Sequence, residues 1–151
     1  MRTFAGRLVG VAAVIGAVVA GAGVAGADTA ASSVGFSPTV TLGTLMGSDT
    51  VTCVGYLAGT GSVYPGQTPG PVAVLLSSYF VGSGPQCFIQ GTLTWQNLDT
   101  GATGSQPFAL SGFDGPGAPT GIYFDPGAGR VNIRVDTAHE IVAGSAQLVL
   151  S

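Results

Sequence analysis

The side chains most able to do chemistry in this chain are few. His139 is the only histidine, and it sits in "DTAHEIV" between Asp136 and Glu140. That grouping offers a general base oriented by a carboxylate, which would serve a hydrolase if a serine stood ready as nucleophile. The second half is missing: there is no G-x-S-x-G elbow and no serine in a strand-to-helix turn. The competing reading is a solvated histidine in a hairpin connection. One histidine without spare cysteines cannot build a zinc site, and no cofactor motif is present.

Cys53 and Cys87 are the only cysteines. An even count in an exported chain reads as one disulfide, and a redox or metal role would need a second cysteine pair or a His/Cys cluster. Closing a loop of about 35 residues stabilises by roughly 3–4 kcal/mol on the chain-entropy model. Trp95, the only tryptophan, lies on the same strand face as Cys87 and reads as a core anchor beside the bond. In immunoglobulin domains the tryptophan falls between the two cysteines; here it follows the second.

The acids raise paired-carboxylate glycoside hydrolysis as a further possibility. However, Asp99, Asp114 and Asp125 occur in "LDTG", "FDGPG" and "FDPG", where Asp caps its own turn. No D-x-D-x-D-G spacing for calcium is present. Tyr56, Tyr64, Tyr79 and Tyr123 could stack on sugars, and Tyr64, in the loop "SVYPGQ", is the best exposed candidate.

The elements that must position these residues alternate with period two. "DTVTCVGYL" sets Cys53 and Leu57 against Val54 and Tyr56, and "QCFIQGTLTWQN" sets Cys87, Ile89, Leu93 and Trp95 against Gln90, Thr92, Thr94 and Gln96. "GRVNIRVDT" alternates Val131, Ile133 and Val135 with Arg130, Asn132, Arg134 and Asp136. "PVAVLLSSYFVG" is more uniformly apolar and reads as buried on both sides. With "FSPTVTLG", "QPFALSG", "TGIYFD" and "SAQLVLS", and Gly/Pro-rich turns between, about seven or eight strands are expected. The pattern predicts an all-β chain, an Ig-like antiparallel β-sandwich with a small barrel as the alternative. No segment has helical length and period, and "DTAHEIVAG" holds one helical turn at most.

At the N-terminus, Arg2 and Arg7 precede eighteen uncharged residues, Leu8 to Ala25, and then Ala25-Gly26-Ala27. This is the pattern of a signal peptide cleaved after Ala27; the run is long enough for a membrane anchor, but it is weakly apolar and ends in a cleavage motif. The expected organisation is residues 1–27 as signal peptide and 28–151 as a single secreted domain that does not span the membrane. Residues 28–151 contain two arginines, no lysine and seven acids, a formal charge of −5. So few cations cannot neutralise a phosphate backbone, which excludes nucleic acid as a partner. The apolar content excludes disorder, and the glycines lack the three-residue period of collagen.

The stretch from "GTLTWQNLDTGATG" through "GRVNIRVDTAHEIVAGSAQLVL" resembles small secreted actinobacterial β-sandwich proteins of unknown function, which carry a similar W-x-N-x-x-T-G-A-T-G hairpin and a closing "GSA" strand. The resemblance covers about half of residues 28–151. It implies a compact domain exported to the cell envelope or medium, and it brings no catalytic residues with it. The function expected is therefore non-enzymatic binding or structure at the envelope, toward a protein or carbohydrate. The alternatives are a secreted hydrolase using His139 with nearby carboxylates, and a subunit of an oligomeric envelope β-assembly. The latter needs outward apolar strand faces, which the Gln/Thr face of the Cys87–Gln96 strand does not supply.

Overall fold

A computed structural model describes residues 30–68, 70–82, 87–111 and 119–151. The N-terminal segment through Ala27, Asp28 and the Asp114 turn lie outside them. The strands are β1 (Ser32–Gly35), β2 (Thr39–Thr44), β3 (Val51–Val63), β4 (Val72–Gly82), β5 (Phe88–Asn97), β6 (Thr103–Ser111), β7 (Pro119–Phe124), β8 (Gly129–Thr137), β9 (Glu140–Val142) and β10 (Gly144–Leu150). All belong to one antiparallel sheet ordered β10-β8-β5-β2-β3-β4-β7, with β1 on β3, β6 on β5 and β9 on β2. Among the described residues there is no helix.

The sheet folds over its own core without closing into a barrel. One arm is β6-β5-β8-β10 and the other β7-β4-β3-β2; β5 and β2 share only the residue pair Thr44–Phe88. Leu57, Val74, Leu76, Ile122 and Phe124 from one arm pack with Ile89, Leu93, Phe108, Val131, Ile133, Val135 and Leu148 from the other. That two-layer arrangement is sandwich-like, and each layer buries one side chain in two. β8 follows the sequence pattern residue for residue, with Val131, Ile133 and Val135 buried and Arg130, Asn132 and Arg134 exposed.

Ten strands stand where the sequence suggested seven or eight. The two additions, β1 and β9, are short, and neither alternates strongly enough to be read as a strand. "DTAHEIVAG" holds a tight turn and then β9 rather than a helical turn, because Val142 pairs with Val40 and Glu140 with Thr41 of β2. β3 also runs on through "GTGSV", a glycine-rich stretch resembling a turn, since β1 and β4 flank it there. β4 is buried on both sides only across Val72–Val74; beyond that Leu75, Tyr79 and Val81 face outward.

The arms are fastened across their seam. Thr39 and Thr41 are buried, and Thr41 Oγ1 receives the Thr137 hydroxyl at 2.7 Å while donating to the His139 carbonyl at 3.1 Å. Cys53 and Cys87 form the disulfide, with Cα atoms 5.7 Å apart, and the bond lies against Gly43 of β2. A Cβ at Gly43 would collide with both sulfurs.

Trp95 departs from its expected place. It is half-buried and stacks on Phe124 at 5.5 Å, with its ring over Gly104, where any side chain would strike it. Eight residues along an extended strand put it about 26 Å from Cys87. It anchors the far end of the core and does not pack on the disulfide.

Candidate functional site

His139 lies in the β8–β9 turn and lines a small cavity of about 260 Å³ together with Ser48 and Asp49. No hydrogen bond joins the histidine ring to either of them among the described residues. Ser48 instead accepts the Thr50 amide at 3.2 Å. The carboxylates expected to orient the histidine turn elsewhere: Asp136 and Glu140 both pair with Arg134. Glu140 also accepts the Thr137 amide. The structure thus separates His139 from the acids next to it in sequence. Among the described residues, no group of three or more His, Cys, Asp or Glu is placed to hold a metal ion.

Tyr64 is half-buried at the opposite end of β3, its amide bonded to the Pro71 carbonyl. It shares a shallow cavity with Leu75 and Tyr123. Ten residues of strand, about 33 Å, separate Val54, beside the His139 turn, from Tyr64, so the two weak candidates cannot act together.

A concavity of about 880 Å³ lies on the outer surface of the β6-β5-β8-β10 arm. Strand register builds it in rows. Thr103, Gln96, Asn132 and Gln147 stand side by side across the four strands, and Ser105, Thr94, Arg134 and Ser145 form the next row. Alternation puts them there, because each is the outward neighbour of a core residue. Gln147 Nε2 donates to Asn132 Oδ1 at 2.9 Å, which leaves the Gln147 carbonyl and the Asn132 amide hydrogens facing the concavity. Arg134 contributes the one cation of the lining, and Asp136 and Glu140 more than offset it, so the surface is polar without net positive charge. Aspartate pairing holds the Arg134 guanidinium above its ordinary pKa.

The other arm presents a different outer surface. Val142, Val40, Tyr56 and Tyr79 form one cross-strand row, and Leu42, Val54 and Val81 the next. Tyr56 and Tyr79 stack at 5.1 Å and stay 42 % exposed, and Val81 is 79 % exposed. The sequence placed Val54 and Tyr56 outward, but β4 read as a buried strand hid the rest of this surface.

Beside the concavity, Asn97 ends β5 as a fully buried hub. Its Nδ2 donates to the Pro126 and Ala128 carbonyls at 2.9 and 2.8 Å, and its Oδ1 accepts the Asp99 and Thr100 amides. Asp99 then clamps Arg130, accepting from its guanidinium at 2.6 Å and from its backbone amide at 2.8 Å. The Arg130 side-chain hydrogen bonds, followed by its amide, lower the Asp99 pKa. A carboxyl depressed in the fold contributes stability above its unfolded pKa of about 3.9 and loses it as pH falls through the folded value. Asp99→Asn should therefore lower the melting temperature slightly at pH 7, and the gap from wild type should close as the pH falls to 2; a gap constant with pH would refute the clamp. Both groups are solvent-exposed, so the effect is small.

Comparison with known proteins finds no matching family model, no matching curated protein and no matching solved structure, so what these surfaces do must be argued from their own chemistry.

Proposed function

We propose that this protein is an exported, non-enzymatic binding domain that takes a neutral, hydroxyl-rich ligand of carbohydrate type on the outer surface of β6-β5-β8-β10. The observation that carries this reading is the double row of amide and hydroxyl side chains lining a concavity of about 880 Å³. Amides offer a donor and an acceptor side by side, which matches vicinal hydroxyls. The charge balance at Arg134 favours a neutral ligand over a strongly anionic one. A volume of this size suits a short oligosaccharide. Export is supported by the basic-apolar-small pattern of residues 1–27 and by the engagement of both cysteines in one bond, which persists in oxidising compartments.

A non-catalytic role is supported by the arrangement around His139. Asp136 and Glu140, its carboxylate neighbours in sequence, are committed to Arg134, and neither Ser48 nor Asp49, which share its cavity, is hydrogen-bonded to its ring among the described residues.

Trp95 lies in the strand row between the two polar rows with its ring turned to the core, so binding is read by titration calorimetry and not by its fluorescence. Titrating the oxidised protein with soluble neutral polysaccharides (an arabinan, a galactan and a glucan) should give a saturable change with at least one of them. Gln96→Ala combined with Asn132→Ala should then weaken that binding at least tenfold without changing the melting temperature appreciably. Absence of saturable binding to every neutral polysaccharide at millimolar sugar, or unchanged affinity in the double variant, would overturn the reading.

A further inference from the structure

We infer that the outer surface of β9-β2-β3-β4 is a homodimer interface, covered in solution by the same surface of a second copy. The two rows already described, Val142-Val40-Tyr56-Tyr79 and Leu42-Val54-Val81, form a continuous apolar patch across four strands. Leu75 and Tyr123 extend it toward the other end of the sheet, at 45 % and 43 % exposure. Together these side chains leave on the order of 600 Å² of apolar surface in water, near the upper limit for the largest patch of a monomer and approaching the roughly 800 Å² that each partner contributes to a standard interface.

Charge distribution selects a second copy as the occupant. Residues 28–151 carry a formal charge of −5, which opposes self-association through most surfaces. No charged residue stands in either apolar row. Glu140, at the start of β9, borders the patch and is tied to Arg134; the other described charges lie away from it, Arg130, Arg134 and Asp136 on β8 and Asp49, Asp99 and Asp125 in turns. Two copies can therefore meet here without opposing like charges. The stacked Tyr56–Tyr79 pair supplies aromatic surface that packs against its own symmetry mate, as a two-fold contact requires. Two such sheets would pack face to face about 10 Å apart.

The interface is independent of the proposed ligand surface, which lies on the opposite arm, and the two readings can fail separately. Sedimentation of the oxidised full protein over a range of concentrations should show a monomer–dimer equilibrium. Val81→Asp and, separately, Tyr79→Glu should each raise the dimer dissociation constant at least tenfold, because each puts like charges opposite one another across the two-fold. Both positions are solvent-exposed in the single chain, so circular dichroism should show an unchanged fold. Thr94→Glu, on the opposite arm, should leave the dimer as it is. A wild-type protein that stays monomeric at all concentrations, or a dimer indifferent to both charged variants, would overturn the inference.

Discussion

Asn97→Asp is expected to destabilise the protein by about 3–4 kcal/mol, as two buried donors are replaced by an acceptor facing acceptors. Asn97 has no solvent exposure, and its Nδ2 reaches the Pro126 and Ala128 carbonyls while Oδ1 holds the Asp99 and Thr100 amides. An aspartate keeps the second pair of bonds and turns the first into a repulsion. Asn97→Leu loses both pairs and leaves four backbone groups unmatched, so it should cost at least as much. Thermal or urea unfolding reads the effect directly, with a melting temperature lower by about 10 °C or more. Asn132→Asp, on the exposed arm, is the control and should shift stability by less than about 0.5 kcal/mol. If Asn97→Asp melts with wild type, Asn97 is not the hub that joins the β5–β6 hairpin to the β7–β8 turn.

The second large effect belongs to the disulfide. The double variant Cys53→Ala/Cys87→Ala should lose about 3–4 kcal/mol, as expected for opening a loop closed over a separation of 34 residues. The bond lies where β5 and β2 share only the pair Thr44–Phe88, so few other contacts restrain that corner. Calorimetry of wild type with and without reductant should reproduce the loss, whereas reductant should leave the double variant unchanged. Equal melting temperatures for the oxidised protein and the double variant would show that the bond is dispensable. In either case unfolding should remain a single transition, because both arms contribute to one core.

Much of the fold was legible because period-two alternation is strong wherever one face meets a core. β8 reads correctly at every inward position, and the count and context of Cys53 and Cys87 pair them. Three features were hidden for identifiable reasons. β9 is three residues long and gains its identity only from Val40 and Thr41, which are remote in sequence. β4 is rich in apolar residues on both faces, so composition could not show that Leu75, Tyr79 and Val81 are left outside. Trp95 and Cys87 were rightly placed on one inward face, but strand length, not face, decides whether two residues touch. The polar rows were half visible, as the outward Gln90, Thr92, Thr94 and Gln96 of β5. Their neighbours on β6, β8 and β10 required the register. Asn97 could have been found from "NLDTG", where an asparagine opening an Asp-Thr-Gly turn suits side-chain capping of the following amides.

The placement of the arginines also governs how the protein meets proteases. With no lysine in the chain, trypsin-like enzymes can cut only after Arg2, Arg7, Arg130 and Arg134. The last two lie in β8, hydrogen-bonded to β10 on one side and β5 on the other. A protease needs its substrate as a free extended chain, so digestion there waits for β8 to leave the sheet. At Arg130 and Arg134 such enzymes therefore measure the opening of the core. Complete digestion of the unfolded chain would leave residues 8–130 as one very long peptide, so tryptic fragments report on this protein almost wholly through the segment that follows Arg134.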